Sequence, residues 1–532
     1  MDVQFQLDGQ QVAVPDDGAS LLEALRDRLG VRSAKDGCSP QGQCGCCTVW
    51  VDGSPRVACV TPVRRVSGRA VTTVAGLEPA DRDRWAAAFC DSGASQCGFC
   101  TPGIIMRLAA LGPEPDNTTV ERALLAHLCR CTGWRTILEA VGGFSGPSGR
   151  TQKPPVDDSA RRATLEGGSP QRVDPAVALG EGGFADDTAP SDALVAVRDA
   201  SGGWAVGETL TEARTRAGKI QGRRTTVALR HPIDVPPGDW DLTLRTTWVE
   251  PAYLEPDASW CLPGGEPVKA LANGGAFGGK LTSIVAAAAR QLADAHARPV
   301  RVLFSREDAV RLGPKRPPIA AGLRSDGTGL VRAARTPGIA AAVGAVLPDA
   351  RVEEMDVAGP PTSIDIRAAG WAEAAILRAA LGFRTEGGDF VRPSAHAPVV
   401  IPSAGTEPAT ASAWLDDDGA VHVEVCAGEP LDDVVLRSYC IGAAHMAVGW
   451  VRSEGIAVDA DGEPQDLTIR SFGILRAQDT PPIHVTIRPA SGPAARVSDA
   501  VFAAVAAATW LHEPRTDNNR PPQDWPTRRT QS

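Results

Sequence analysis

Cys38-Ser-Pro-Gln-Gly-Gln-Cys44-Gly-Cys-Cys47-Thr-Val is the stretch on which the reading of this chain turns. Three cysteines crowd one loop with Gly37, Gly42 and Gly45 among them. A fourth, Cys59, follows the apolar run Thr48-Val49-Trp50-Val51. Four thiolates converging on two irons, with loop amides donating to the sulfurs, is what a [2Fe–2S] cluster requires. Glycines let a backbone approach the inorganic sulfides closely. Zinc, the competing metal, usually joins two well-separated cysteine pairs. Cys46 reads as a small residue filling a slot beside the cluster.

Working outward, Val3, Phe5 and Leu7 share one face of a strand. Asp8-Gly9 signals a hairpin turn, and Val12 and Val14 lie on the return strand. Leu21, Leu22, Leu25 and Leu29 recur at helical spacing, and Gly30 closes that helix. With Asp52-Gly53 as a further turn, residues 1–76 read as a ferredoxin-like β-grasp domain carrying the Cys-rich loop on its rim. Residues 77–147 read as four short helices, with Thr101-Pro102 opening one and Thr119 placed to cap another. This part holds a second set, Cys97-Gly-Phe-Cys100 and Cys129-Arg-Cys131, each pair at a helix end. Taken alone, two such pairs suit zinc or a cluster equally. Residues 148–169, rich in Gly, Ser, Pro and basic residues, are expected to be an exposed linker. Residues 170–525 alternate Ala-rich helices with Val-rich strands. The expected fold class is therefore α+β multidomain, with the third region mixed α/β.

Composition narrows the function classes. The 532 residues carry 54 Lys+Arg against 64 Asp+Glu, a formal net charge of -10, with no long basic run, which argues against nucleic acid as a partner. The start, MDVQFQLDGQ, alternates polar and apolar residues, unlike a secretory leader, and the longest apolar runs, such as Val501 to Trp510, are too short to span a bilayer. No membrane insertion is expected. Ten of the thirteen cysteines lie at or before Cys131, and clustered thiols without an address to an oxidising compartment point to metal binding in the cytoplasm. The histidines are scattered; His422 precedes Cys426 by four, too far apart on a strand to share a metal. No phosphate-cradling loop opens a helix after a strand, so electrons are expected to leave to another protein.

Three phrases then carry a resemblance: the Cys38–Cys47 loop, Gln96-Cys97-Gly-Phe-Cys100-Thr-Pro-Gly103, and Cys129-Arg-Cys131-Thr-Gly133. Together they closely resemble the iron–sulfur half of the xanthine oxidase/aldehyde oxidoreductase family of molybdenum hydroxylases, over nearly all of residues 1–147. One departure is visible, five residues between Cys38 and Cys44 where the family usually has four. The resemblance implies two [2Fe–2S] clusters, the outer on Cys38, Cys44, Cys47 and Cys59 and the inner on Cys97, Cys100, Cys129 and Cys131. Gln96 matches the family's glutamine that bonds the molybdopterin.

In residues 170–525 the resemblance survives in islands, a shortened molybdopterin-binding-like region. Gly274-Gly-Ala-Phe-Gly-Gly-Lys280 resembles the loop whose Phe and Gly lie against the molybdenum, so Gly275, Phe277 and Gly278 are implied cofactor contacts. Arg367-Ala-Ala-Gly370 resembles an Arg-containing cofactor loop, and Leu254-Glu255-Pro256 a family Glu-Pro step. The family's Lys-Gly-x-Gly-Glu segment supplies a catalytic glutamate; the corresponding stretch here, Pro489 to Val497, has none, and no catalytic residue is assigned. Asp499 is the nearest acid, expected to cap a helix. The expected function is a molybdopterin-dependent oxidoreductase that hydroxylates an aldehyde or N-heterocycle with water. Its electrons would pass through two clusters to an external acceptor or an FAD-containing subunit. The alternatives are an electron-transfer subunit with a degenerate molybdenum domain, and a zinc-bound scaffold.

Overall fold

In a computed structural model of the chain, the residues described are 2–145, 155–218, 228–270, 276–405, 408–516 and 519–528. Strands Asp2–Leu7 and Gln10–Pro15 pair antiparallel, with Leu7 opposite Gln10. A two-residue hairpin turn of this hand needs positive φ at both central positions. Asp8 and Gly9 take 49° and 82°, and Asp52 and Gly53 repeat the device at 48° and 73° between Thr48–Val51 and Ser54–Val57. Asp2–Leu7 also pairs in parallel with Ala70–Thr72, which completes a five-stranded mixed sheet. Strand alternation turns Val3, Phe5 and Leu7 inward, where they meet Leu21, Leu22 and Leu25. Burying each such side chain stabilises by roughly 1.5–3 kcal/mol.

Four helices follow, Pro79–Ser92, Thr101–Ala109, Asn117–Ala123 and Arg135–Ser145. Trp85 stacks on Phe144 with ring centroids 4.2 Å apart and ties the first helix to the last. The third begins earlier than Thr119 suggests: Asp116 caps it, its carboxylate accepting the Thr119 N–H at 2.7 Å.

The expected exposed linker is corrected by the structure. Within 148–169, Val156–Gly167 is a helix that packs on the long helix Asp433–Arg452, with Arg162 and Glu166 fully buried. Composition misleads here because a few charged residues on one face are paired inside. Arg162 donates to Glu166 at 3.0 Å and to the Ala495 carbonyl at 2.9 Å.

Among the described residues, the third region contains three four-stranded sheets. The one ordered Val399–Pro402, Thr410–Leu415, Val421–Cys426, Ile483–Ile487 is covered by helices Asp433–Arg452 and Ser498–His512, and with them builds the largest core. Ser498–His512 is buried on nearly every side, so it reads as apolar all round rather than amphipathic. Asp433–Arg452 is long and apolar enough by composition to cross a membrane, unlike any run singled out in the sequence, yet it lies almost wholly inside this core. The parallel register sets His422 opposite His484, and their rings stack at 5.0 Å, so two histidines far apart in sequence are neighbours.

The regions are joined by buried ion pairs rather than by apolar contact alone. Arg26 of the first domain donates to Asp186 at 2.6 Å and Asp187 at 2.8 Å, Lys35 also pairs with Asp187, and Arg301 meets Asp27 through both guanidinium nitrogens at 2.9 Å.

Candidate functional site

The Cys-rich loop leaves the first domain between the helical turn ending at Arg28 and strand Thr48–Val51. Cys38, Cys44, Cys46, Cys47 and Cys59 are all buried. The thiol of Cys38 reaches both Cys44 and Cys59, and that of Cys59 reaches Cys47, so the four predicted outer ligands form one continuous group. The Gln43 N–H donates to the Cys38 sulfur at 3.3 Å, the kind of amide contact a reduced cluster needs. Gly45 takes φ +74°, and a Cβ there would stand 2.3 Å from the His127 ring. Gly37 lies flat against the thiols: a Cβ would meet Cys46 and Cys44 sulfurs at 3.0 and 3.1 Å.

In the second set the partners come from different segments. Cys131 lies 3.7 Å from Cys97, sulfur to sulfur, and Cys129 pairs with Cys100. Cys100 immediately precedes helix Thr101–Ala109, and Cys131 lies just before Arg135–Ser145. Both helices thus turn their N-terminal ends toward the thiols, which favours negative charge. Thiols gathered as two pairs match the coordination of a two-iron rhomb, where each iron takes two thiolates. Among the described residues, no three or more His, Cys, Asp or Glu side chains are arranged to hold a single metal ion.

One hydrogen bond links the two sets: the Leu128 N–H, next to Cys129, donates to the Cys44 carbonyl at 3.0 Å. Alongside it, His127 Nε2 lies 3.1 Å from Thr48 Oγ1, beside Cys47. Burial holds the His127 imidazole at about 3, far below its ordinary value, so it is neutral at neutral pH.

The Gly-rich loop arrives at the inner set. Ala276 and Lys280 line a small cavity with Cys97, Cys100 and Cys131, and Glu255 closes its other side. Burial raises Glu255 to about 7 against the pull of Lys280, whose ammonium it accepts from at 2.6 Å. Across the loop, Phe277, Gly278, Arg367 and Arg496 line a second cavity of about 130 Å³. Gly278 lies so close to the neighbouring backbone that a Cβ would meet the Asp365 carbonyl oxygen at 2.3 Å. The Arg367 guanidinium stacks over the Phe277 ring at 4.5 Å and points its Nη2 at the Met446 sulfur, 3.2 Å away. Burial lowers Arg367 to about 10, with Asp499 opposing that shift. Gln96 donates to the Cys131 carbonyl at 3.0 Å and to Ser438 Oγ at 2.9 Å, between the inner thiols and helix Asp433–Arg452. Gly275 lies outside the described residues.

Several functional neighbours had no signal in the sequence. Arg130, between two inner cysteines, forks onto Glu454 with two bonds of 2.6 Å and donates to the Pro251 carbonyl. Glu166, inside the supposed linker, accepts from the backbone N–H groups of Val497 and Ser498, capping Ser498–His512. That task was expected of Asp499, which instead pairs with Arg496 at 2.9 Å and keeps one buried oxygen without a partner. Nothing in either stretch of sequence foretells contacts across more than 300 positions.

Residues 1–75 match the family profile described as a 2Fe-2S iron-sulfur cluster binding domain, and 73–142 the one described as a [2Fe-2S] binding domain. The nicotinate dehydrogenase small FeS subunit of Eubacterium barkeri is 35% identical over 144 residues, 26% of this chain and 91% of that protein. The alpha subunit of isoquinoline 1-oxidoreductase from Brevundimonas diminuta is 37% identical over 145 residues, 26% of this chain and 94% of its own. The xanthine dehydrogenase of Emericella nidulans is 40% identical over 167 residues, 28% of this chain, but the match spans only 12% of that protein. In structure, the aldehyde oxidoreductase from Desulfovibrio desulfuricans superposes with a TM-score of 0.67 at 15% identity, covering 96% of this chain and 97% of that one. The fold and the paired thiols define an iron–sulfur protein with two [2Fe–2S]-binding domains ahead of a mixed α/β region. The chain belongs to the xanthine oxidase/aldehyde oxidoreductase family of molybdenum hydroxylases.

Proposed function

We propose that this chain is a molybdopterin-dependent oxidoreductase that hydroxylates an aldehyde or N-heterocycle with water. Its electrons leave through an inner cluster on Cys97, Cys100, Cys129 and Cys131 and an outer cluster on Cys38, Cys44, Cys47 and Cys59. Residues 1–76 and 77–147 are the two cluster domains, and 170–525 the shortened pterin-binding-like region. The observation that carries this reading is that the Ala276–Lys280 turn lines one cavity with the inner thiols and a second with Arg367.

The donor set suits a pterin with an anionic tail through Arg367, which lines the cavity beside Phe277, while Lys280 and Arg496 there are paired with Glu255 and Asp499. When bound, the molybdenum–pterin group would supply the two-electron oxidation of substrate. The chain's own part is to hold and insulate. Gln96, Phe277, Gly278 and Arg367 would position the group, and Gln96 donates to the Cys131 carbonyl at 3.0 Å. The Leu128–Cys44 hydrogen bond lies between the two thiol sets, where single electrons would pass outward. An external acceptor or an FAD-containing subunit takes them up.

A second reading rests on its own observations. The pocket beside Phe277 encloses about 130 Å³, less than the roughly 300 Å³ at which ligand sites begin, and the family's glutamate is missing. These features favour an electron carrier whose third region no longer turns over substrate. Metal content separates the two. One molybdenum per chain, with substrate-driven bleaching of the clusters under anaerobic conditions, supports the enzyme; iron and sulfide without molybdenum support the carrier. A colourless, iron-free product of anaerobic maturation would remove both.

A further inference from the structure

A further cavity lies away from the pterin-side pocket. It encloses about 460 Å³ between the end of the helical domain, the C-terminal end of helix Asp433–Arg452, and the loop 469–479. That volume falls within the roughly 300–1,000 Å³ of small-molecule sites. Its wall is of two kinds. Leu128, Val448 and Ile474 contribute apolar lining, and Arg452, Arg470, Arg476 and Arg528 contribute basic lining.

The charge there does not cancel. Arg452 and Arg528 share one carboxylate, the buried Glu513, at 2.8 and 2.7 Å, and Arg476 reaches Asp479 only at 3.9 Å. Arg470 donates to two backbone carbonyls, Gln43 at 3.0 Å and Leu125 at 2.9 Å, rather than to an acid. Four guanidiniums thus face two carboxylates, in a chain whose formal net charge is -10. Concentrating one sign of charge in a concave, partly apolar site focuses the field on an incoming ion.

We infer that this cavity binds a small anionic ligand, an oxyanion head group carried on a flat apolar body, with Arg470 and Arg476 taking the head group. Guanidinium forks match the geometry of phosphate and carboxylate oxygens, and the leucine–valine–isoleucine lining accepts the body. The site also touches the outer cysteine loop. Arg470 holds the Gln43 carbonyl, and the Gln43 N–H in turn donates to the Cys38 sulfur at 3.3 Å. Leu128, which also lines the cavity, donates its N–H to the Cys44 carbonyl.

The test is isothermal titration calorimetry on the full chain with phenyl phosphate as probe, and inorganic phosphate and phenol as separate arms. One phenyl phosphate per chain is expected, bound about tenfold or more tighter than either fragment and weakened by added salt. Arg470→Ala and, separately, Arg476→Ala should each weaken binding about tenfold, the usual consequence of losing a charge-assisted hydrogen bond. Arg476 makes only the long contact with Asp479, so its variant keeps the test valid should Arg470→Ala fail to fold. Arg335→Ala, remote and exposed, should leave binding unchanged. No saturable heat with phenyl phosphate, or binding indifferent to both Arg470→Ala and Arg476→Ala, overturns the inference. Calorimetry reads the site whether or not the third region carries molybdenum, so this result stands apart from the functional reading above.

Discussion

Cys47 adjoins Thr48, whose hydroxyl meets His127, two residues from Cys129; a single side chain thus sits between both thiol groups. The groups are nonetheless built from separate segments, so they should fail separately. Cys47→Ser is expected to reduce iron from about four to about two per chain and to abolish the outer cluster's electron paramagnetic resonance signal while the inner one persists. Loss of both signals together would contradict two independent centres. Gly45 allows a second test at this scale. Any L side chain there meets a positive φ and the His127 ring at 2.3 Å. Gly45→Ala should therefore lower stability by roughly 1–3 kcal/mol, read by thermal unfolding. The loop cysteines and glycines are legible in the sequence because ligand spacing and backbone sterics are local properties.

Helices and strands meet one another here through charge. Burial alone would raise Asp186, but Arg26 and Arg301 outweigh it and hold the carboxyl at about 2. A carboxyl depressed in the folded state contributes stability above its unfolded value near 4, and that contribution is lost as pH falls toward 2. Asp186→Asn should accordingly cost about 2–3 kcal/mol at pH 7, and the gap between variant and parent should close between about pH 4 and 2 in denaturant titrations. The Arg130–Glu454 fork is a stronger case, buried at both ends. Arg130→Ala leaves an uncompensated buried carboxylate, an expected loss of about 3–5 kcal/mol in denaturant titration with disturbance of the inner cluster's spectrum. Hairpin turns at Asp8-Gly9 and Asp52-Gly53 could be read directly, since the turn type dictates the residues. The helix Val156–Gly167 could not, because its apolar face is short and its stability comes from an arginine and a glutamate that find partners elsewhere.

At the scale of the molecule, the two clustered thiol groups lie entirely within the first quarter, whereas the largest core among the described residues lies in the third region. Metal and folding should therefore be coupled unevenly. Chelating the iron is expected to lower the unfolding temperature of the iron–sulfur part and leave a later, metal-independent transition, seen as two resolved peaks by differential scanning calorimetry. A single shifted peak would mean that the ion pairs of Arg26, Arg301 and Arg130 make the whole chain one cooperative unit.

By itself the sequence determined the two groups of cysteines, the turns at Asp8-Gly9 and Asp52-Gly53, the helical second domain and the family, because each depends on residues close in the chain or on a phrase of fixed spacing. The tertiary structure alone decided which thiols pair, that Arg367 stacks on Phe277, and that Glu166 rather than Asp499 caps the last long helix. It alone gathered the four arginines around the large cavity. Those outcomes depend on charges and backbones brought together across hundreds of positions, where burial makes an unpaired ion too costly to leave and no local pattern records its partner.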